Sequence, residues 1–185
     1  MTTVASFIVS TLDGFYAGPE LEFDWPRVDE EFNQFSIGQL DAADALLFGR
    51  LTYQFLASYW PTDQAAANDP QVTTRMNSMR KVVFSQTLSA ADWENSRVAR
   101  GNVADEIGRL REGSRRDLLV LGSPSLTAAL AEEGLLDELR IMINPILLGQ
   151  GRSLLESLQR RVELHLLSAQ PFSSGNVLLN YQPIR

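Results

Sequence analysis

The sequence contains no cysteine and a single histidine, His165. Without cysteine the chain has no disulfides, thiolate metal sites or thiol nucleophiles, and one histidine cannot build a histidine-rich metal site. No apolar run approaches the ~18 residues of a membrane span. Residues 1–10 also lack the basic start and long apolar stretch of a signal peptide. We therefore expect a cytoplasmic protein without a bound metal.

Basic residues are also scarce. The chain has 16 Lys and Arg against 23 Asp and Glu, for a net charge of −7. Nucleic acids and anionic membranes bind to basic surfaces, so neither is expected as the main partner. A pocket with one or two arginines remains compatible with this charge. The length of 185 residues and the hydrophobic content of 44% predict a single folded domain over residues 1–185.

Two apolar segments each lead directly into a helical pattern. They lie within residues 45–53 and 118–125, and each passes through a glycine, Gly49 in the first and Gly122 in the second. Such a strand-to-helix junction favours an anion, because helix N-terminal N–H groups are free and the helix dipole is positive there. Arg50 and Thr52 add a cation and a hydroxyl to the first junction. Two such junctions predict a dinucleotide with two phosphate-bearing regions.

Strand and helix patterns alternate along most of the chain, and two strand patterns follow one another at its end. The expected strands are residues 4–10, 41–48, 81–85, 97–99, 117–122, 139–148, 162–168 and 176–181. The expected helices are residues 29–38, 52–57, 71–79, 103–112 and 124–133, and residues 61–70 are expected to form a polar surface loop. We expect Val28, Phe32 and Phe35 to face inward and Ser123 to cap the last helix. This order predicts an α/β fold with a mainly parallel central sheet, an antiparallel C-terminal edge and helices on both faces.

Six segments, in this order, resemble the dihydrofolate reductase-like superfamily, and most closely the branch of the riboflavin-biosynthesis deaminase-reductase C-terminal domain. They are Ser10-x-Leu12-Asp13-Gly14-Phe15, Asp44-Ala-Leu-Leu-Phe-Gly-Arg-x-Thr-Tyr53, Lys81-Val-Val-Phe-Ser85-x-Thr-Leu88, Asp117-Leu-Leu-Val-Leu-Gly-Ser123, Gly134-Leu-Leu-Asp-Glu-Leu139 and Asn144-Pro145-x-Leu147-Leu148-Gly149-x-Gly151. The resemblance implies the three-layer αβα fold of that superfamily, NADPH as the cofactor and, often, a homodimer. Ser123 stands where the family usually has a second glycine.

The resemblance also implies which residues contact NADPH. Arg50 is expected at the 2′-phosphate of the adenosine, within a cofactor turn, and Ser85 and Gln86 are expected to receive the same phosphate. The other implied contacts are Gly49 and Thr52 in the cofactor turn, Gly122, Ser123 and Leu126 at the pyrophosphate, and Val9 and Ala17 at the nicotinamide.

Reduction of a C=N or C=O bond also needs a proton donor. The candidates are Asp13, in the first glycine turn, and Glu30 or its neighbour Asp29, which follow Trp25 in an arrangement similar to that of true dihydrofolate reductases. Both have simpler interpretations, since Asp favours turns and an acid in a first helical turn stabilises the dipole. The residues expected to contact the substrate are Trp25, Tyr53 and Tyr59.

Residues 54–61 contain three aromatic side chains and no Lys or Arg. In riboflavin-type reductases the resemblance places basic residues here, which hold a ribose phosphate; Arg75, Arg80 or Lys81 could replace them only if residues 61–70 fold back. We therefore predict an NADPH-dependent reductase of a small flat heterocycle, pterin-like or pyrimidine-like, that acts as a homodimer. The alternatives are an NADPH-binding protein without efficient catalysis and the phosphoribosylaminouracil reductase of riboflavin biosynthesis.

Overall fold

The computed structural model describes residues 2–184. Within them lie ten strands: β1 Val4–Thr11, β2 Phe15–Ala17, β3 Ala43–Gly49, β4 Arg80–Phe84, β5 Ser96–Ala99, β6 Asp117–Leu121, β7 Glu138–Asn144, β8 Arg152–Ser153, β9 Leu164–Pro171 and β10 Val177–Pro183. Eight of them form the main sheet in the order β5-β4-β3-β6-β1-β7-β10-β9, and β2 pairs with β8 in a separate small sheet.

The main sheet is parallel from β5 to β7. Only β10, which is antiparallel to both β7 and β9, breaks this direction. The predicted mainly parallel sheet with an antiparallel C-terminal edge is thus confirmed. The carboxyl ends of the six parallel strands meet along one side of the sheet, which we call the carboxyl edge. In open parallel sheets ligands bind on this side.

Helices cover both faces of the sheet. Their bounds are α1 Glu30–Asp41, α2 Arg50–Ala57, α3 Asp63–Asn68, α4 Pro70–Ser78, α5 Val103–Glu112 and α6 Pro124–Glu132. Tyr53 of α2 and Met76 of α4 pack on one face, in a core cluster that includes Phe7 of β1. Leu110 of α5 and Leu126 of α6 pack on the other face. This is the expected three-layer αβα arrangement.

The structure corrects the prediction of a surface loop over residues 61–70, because α3 lies there. The Thr62 hydroxyl accepts the N–H of Ala65 at 3.2 Å and so caps this helix, and the Ala65 side chain is fully buried. The segment is rich in Asp, Asn and Ala, and this many polar residues are typical of a surface loop. The Thr62 cap and the burial of Ala65 both stabilise a helix there.

One further local prediction is wrong and another is correct only in part. Val28 is 55% exposed, because α1 begins only at Glu30, after its N-cap Asp29. Ser123 is the N-cap residue of α6 as predicted, but its side chain does not cap the helix; it has a φ of +48° and its hydroxyl accepts the N–H of Gly49 at the end of β3. A left-handed backbone is uncommon for serine, so the tertiary contact stabilises this conformation.

A small β2–β8 arm, which the sequence pattern did not indicate, lies next to the end of β1. Phe15 and Ala17 pair with Ser153 and Arg152, and the N–H of Leu154 donates to the carbonyl of Gly14 at 2.7 Å. Within residues 2–184 no helix is long and apolar enough to cross a membrane. The same residues hold no cluster of three or more Asp, Glu or His side chains suited to a metal ion.

Candidate active site

The two strand-to-helix junctions lie side by side at the carboxyl edge. β3 and β6 are neighbours in the sheet, yet α2 after β3 packs on one face and α6 after β6 packs on the other. Where consecutive helices diverge to opposite faces, a crevice opens between the ends of the two strands. The sequence predicted both junctions, and the strand order brings them together.

Direct hydrogen bonds join these junctions into one unit. The N–H of Gly49 donates to the Ser123 hydroxyl at 2.8 Å, and the N–H of Ser123 donates to the Thr52 hydroxyl at 3.0 Å. Gly122 has a φ of +57°, and a Cβ there would lie 3.1 Å from Cγ2 of Thr52, so the backbones approach closely. Four of the residues predicted to bind the cofactor therefore adjoin one another.

Both helices that start at this crevice lack a side-chain cap. α2 has Gly49 at its N-cap and α6 has Ser123, and neither cap side chain accepts a hydrogen bond from its helix. The free N–H groups of the first helical turns favour an anion at both ends. Arg50, the first residue of α2, is exposed, donates to Oε1 of Gln54 at 3.2 Å and has no salt bridge within residues 2–184. The charge beside these N–H groups is therefore free for a ligand.

Ser85 and Gln86 follow β4, whose last residue, Phe84, lies opposite Gly49 of β3. The Ser85 hydroxyl accepts the N–H groups of Thr87 and Leu88 at 3.2 and 2.9 Å, and Nε2 of Gln86 donates to the carbonyl of Arg100 at 2.6 Å. Both side chains thus stabilise their own turn, although each keeps further hydrogen-bonding capacity.

The three apolar cofactor candidates lie in or beside the core. Leu126 is 5% exposed and packs beneath the start of α6, so only its backbone borders the crevice. Val9 is half-buried near the end of β1, and Ala17 is buried in β2. Of the three, only Val9 therefore leaves apolar side-chain surface, beside the end of β1.

Asp13, the first proton-donor candidate, holds a turn. Its Oδ1 accepts the Thr11 hydroxyl at 2.6 Å and its Oδ2 accepts the N–H of Gly149 at 2.8 Å. These two hydrogen bonds, the first more than the second, lower the pKa of Asp13 below its ordinary value. The carboxylate is exposed and ionised at neutral pH, and it links the end of β1 to the turn before β8.

Glu30 and Asp29 lie at the start of α1. Glu30 is exposed and its Oε1 accepts Nε2 of Gln34 at 2.7 Å, whereas Oδ1 of Asp29 accepts the N–H of Phe32 at 2.8 Å. Both carboxylates have the helix-stabilising roles that were the simpler interpretation of the sequence. A catalytic role for Asp13 or Glu30 stays a prediction.

Residues 18–29 form no helix or strand. We call this segment the aromatic strap, because its aromatic side chains extend to α2. The Phe23 ring meets Trp25 at 5.3 Å and Phe55 of α2 at 5.8 Å, edge to face in both cases. Nε1 of Trp25 is buried and has no hydrogen-bond partner, whereas Phe23 and Phe55 are 39% and 50% exposed. The sequence prediction included Trp25 and missed Phe23. Acidic and apolar residues alternate over residues 20–25, a signal that could have identified it.

Tyr53 and Tyr59 are not part of the aromatic group formed by Phe23, Trp25 and Phe55. Tyr53 is 4% exposed and faces the sheet, and its hydroxyl accepts the N–H of Trp93 at 2.9 Å. Phe55, two residues later, points away from that side of the helix. The Tyr59 hydroxyl accepts Nδ2 of Asn68 at 3.2 Å, and its ring packs on Trp60. An open cleft of about 580 Å³ beside Tyr53 is bordered by α2, α4 and residues 88–94.

Comparison with protein families identifies one match over nearly the whole chain. The family model of the RibD C-terminal domain matches residues 2–178. A curated relative, the uncharacterized protein YyaP of Bacillus subtilis (strain 168), is 30% identical over 173 residues. These cover 92% of this chain and 89% of YyaP.

Solved structures share the fold. A protein of Shewanella sp. PV-4, named as a candidate riboflavin biosynthesis protein, superposes with a TM-score of 0.77 at 23% identity, over 99% of each chain. A pyrimidine reductase-like protein of Corynebacterium diphtheriae gives 0.69 at 15% identity, over 100% of this chain and 92% of that one. The diaminohydroxyphosphoribosylaminopyrimidine deaminase/reductase of Thermotoga maritima gives 0.68 at 16% identity, and the match covers 99% of this chain but 57% of that longer one.

Proposed function

The chain belongs to the RibD C-terminal domain family, and from this membership we propose that it is a reductase that transfers a hydride from NADPH to a small, flat, conjugated heterocycle. The observation that carries the proposal is the pair of helix N-termini, both without a side-chain cap, that lie side by side at the ends of β3 and β6. A dinucleotide carries its phosphates in the spacing that such a crevice accepts.

The residues at the crevice suit NADPH. The first-turn N–H groups of α2 and α6 would hold the pyrophosphate, and Gly122, where a Cβ would lie 3.1 Å from Cγ2 of Thr52, lets the two turns approach each other. Arg50 would bind the 2′-phosphate, since its guanidinium has no carboxylate partner within residues 2–184. Thr52 and Ser123 also position the two turns, because their hydroxyls accept N–H groups of the protein. The O–H of Thr52 remains able to donate to a phosphate.

Bound NADPH supplies the hydride, and the protein supplies orientation and a dry surface. Val9, half-buried near the end of β1, offers apolar surface to a nicotinamide ring, and the buried Ala17 of β2 would contact the ring only through its backbone. Asp13 holds the adjoining turn through Gly149. We propose that Asp13 fixes this surface in place.

The aromatic strap supports an uncharged or weakly charged ring as the substrate. Phe23, Trp25 and Phe55 form an apolar wall, and the buried, unpartnered N–H of Trp25 suits one acceptor atom of a heterocycle. The three basic side chains that could have formed a phosphate site have other contacts. Arg75 pairs with Asp41, Arg80 donates to the Ser114 hydroxyl, and Lys81 is buried. A ribose phosphate would lack a cationic partner among these three residues.

A second candidate function, cofactor binding without efficient catalysis, is favoured by one observation. The three candidate carboxylates, Asp13, Asp29 and Glu30, all hold turn or helix hydrogen bonds, and the pKa of Asp13 is lowered. A general acid near neutral pH needs the opposite shift.

Two measurements test the proposal. Calorimetric titration should show tight binding of NADPH, and steady-state oxidation of NADPH should proceed with dihydropterins or unphosphorylated pyrimidines. Binding without turnover of any heterocycle would favour the second candidate function. We predict that the phosphoribosylaminouracil of riboflavin synthesis is turned over more slowly than an unphosphorylated heterocycle. The reverse order would promote the riboflavin-pathway alternative.

A further inference from the structure

We propose that Arg100 is a second cation for the 2′-phosphate of NADPH and shares with Arg50 the selection of NADPH over NADH. This inference deepens the proposed function and rests on it. Arg50 directly follows β3, and Arg100 directly follows β5. Only β4 lies between these strands, and neighbouring strands are about 4.8 Å apart, so the two arginines begin about 10 Å apart. Both can reach a phosphate placed above the end of β4.

Arg100 differs from the arginines near it in having no carboxylate partner. Arg97 and Arg109 both pair with Glu106. Arg100 is exposed, donates only to the carbonyl of Ser89 at 3.0 Å, and makes no salt bridge within residues 2–184. In a chain with a net charge of −7, an unpaired arginine at an anion-binding edge is available to a ligand.

The backbone of Arg100 is held against the end of β4. Nε2 of Gln86 donates to the carbonyl of Arg100 at 2.6 Å, and the N–H of Ser85 donates to the carbonyl of Ala99 at 3.2 Å. Gln86 is therefore a positioning residue that fixes where the Arg100 side chain begins. A phosphomonoester dianion between Arg50 and Arg100 would accept charge-assisted hydrogen bonds from both guanidinium groups.

This arrangement predicts a selective effect of Arg100. The 2′-phosphate is absent from NADH, so removing the guanidinium affects the binding of NADPH alone. The variant Arg100→Met should weaken NADPH about fivefold to tenfold, the range expected for one partly solvated charge-assisted contact. NADH affinity should change less than about twofold. The NADPH preference should also fall as the salt concentration rises, because exposed charges are screened.

The test uses calorimetric dissociation constants of NADPH, NADH and adenosine 2′,5′-bisphosphate for the wild type, Arg50→Met, Arg100→Met and the double variant. Arg161→Met is the matched control, because Arg161 is exposed and pairs with Glu163 just before β9. We expect Arg100→Met to weaken NADPH and the bisphosphate but not NADH, and the double variant to lose more than either single one.

Two results would overturn the inference. If Arg100→Met leaves NADPH binding unchanged, or weakens NADPH and NADH equally, while Arg50→Met is selective, Arg100 has no role at the 2′-phosphate and the proposed function stands. If the wild type binds neither dinucleotide, the proposed function and this inference both fail.

Discussion

At the scale of single residues, the core contains a buried charge that joins the end of α4 and the start of β4 to the segment before β5. Lys81 is the only lysine of the chain and is fully buried. Its Nζ donates to the carbonyls of Asn77, Met79 and Glu94 at 3.0, 2.8 and 2.9 Å and lies 4.5 Å from the ring centroid of Trp93. A lysine ammonium has three donors that fan out from one atom, whereas the planar fork of arginine would not match three converging carbonyls.

Replacing Lys81 should destabilise the fold. Lys81→Met removes a donor from three carbonyl oxygens, of which that of Asn77 still accepts Nδ2 of Asn95 at 3.2 Å. We expect the free energy of unfolding to fall by about 2–4 kcal/mol at pH 7. Lys81→Arg, which keeps the charge, should also lose stability, because its shape is wrong. Urea unfolding measures both. A Lys81→Arg variant as stable as the wild type would show that charge alone matters.

Lys81 also sets a pH dependence of stability. Burial lowers the pKa of Lys81 from 10.5 to about 8, so between these values the unfolded chain binds the proton more tightly than the folded one. The contribution of Lys81 to the free energy of unfolding therefore rises with pH between about 8 and 10.5. Between pH 7.5 and 9.5 the wild type should gain about 1–2 kcal/mol relative to Lys81→Met. A constant difference between the two proteins would contradict the lowered pKa.

A further prediction at the scale of single residues concerns Arg50. Arg50→Ala removes an unpaired guanidinium at the start of α2, and we expect NADPH to bind about tenfold more weakly, since a charge-assisted hydrogen bond contributes roughly 1.5–3 kcal/mol. NADH binding should be nearly unchanged. Calorimetric titration of both dinucleotides checks this. An equal loss for both would reject Arg50 as the 2′-phosphate ligand.

At the scale of elements, the β2–β8 arm depends on close backbone contact. A Cβ at Gly151 would lie 2.4 Å from the carbonyl oxygen of Ala17, well inside van der Waals contact. Asp13 fixes the same arm by accepting the N–H of Gly149, which has a φ of +75°. The arm brings Ala17 beside the end of β1, where we place the nicotinamide.

Gly151→Ala should separate β8 from β2. The clash is with backbone and cannot be relieved by a side-chain rotation, so we expect a loss of about 1–3 kcal/mol in unfolding free energy and weaker NADPH binding. Gly108→Ala is the control, because a Cβ there meets nothing within 4 Å and the residue lies inside α5. That variant should be stabilised by about 0.5–1 kcal/mol. If both variants behave alike in thermal and binding assays, the close contact at Gly151 is unimportant.

At the scale of the whole molecule, the sheet ends in an uncovered strand. Every residue of β9 is exposed, and Leu164, Leu166 and Leu167 are 39%, 47% and 49% exposed. An exposed apolar edge strand invites pairing with another chain, and apolar patches mark interfaces. We therefore propose that the predicted homodimer forms through β9 and the adjoining sheet surface.

The dimer prediction is tested by light scattering at micromolar concentration. The wild type should give twice the chain mass of 20.6 kDa, and Leu166→Lys should shift it toward the monomer, because a charge at the interface centre must be desolvated. Leu147→Lys is the control, since Leu147 is 68% exposed in the loop after β7. A wild-type species of single-chain mass would reject the dimer. Dissociation by Leu147→Lys alone would place the interface elsewhere.

Local patterns by themselves determined the elements around the site. The two strand-to-helix junctions could be recognised because a buried strand, a glycine and a helix start are adjacent in the chain, and their signals do not depend on the rest of the fold. The alternation of elements likewise predicted the parallel sheet and its antiparallel end, which the strand pairing confirms. The polar composition of residues 61–70 predicted a loop and so missed α3, in which Thr62 caps the helix and Ala65 is buried.

Only the tertiary structure decided which of these elements meet. The bond between Thr52 and Ser123 spans 71 residues and that between Asp13 and Gly149 spans 136. Strand order, which no local periodicity encodes, sets both contacts, so side chains predicted as ligands or acids also position the turns around the site. Within residues 2–184 the same order leaves Arg50 and Arg100 without a carboxylate partner at the ends of β3 and β5, which only β4 separates, whereas Arg97 pairs with Glu106.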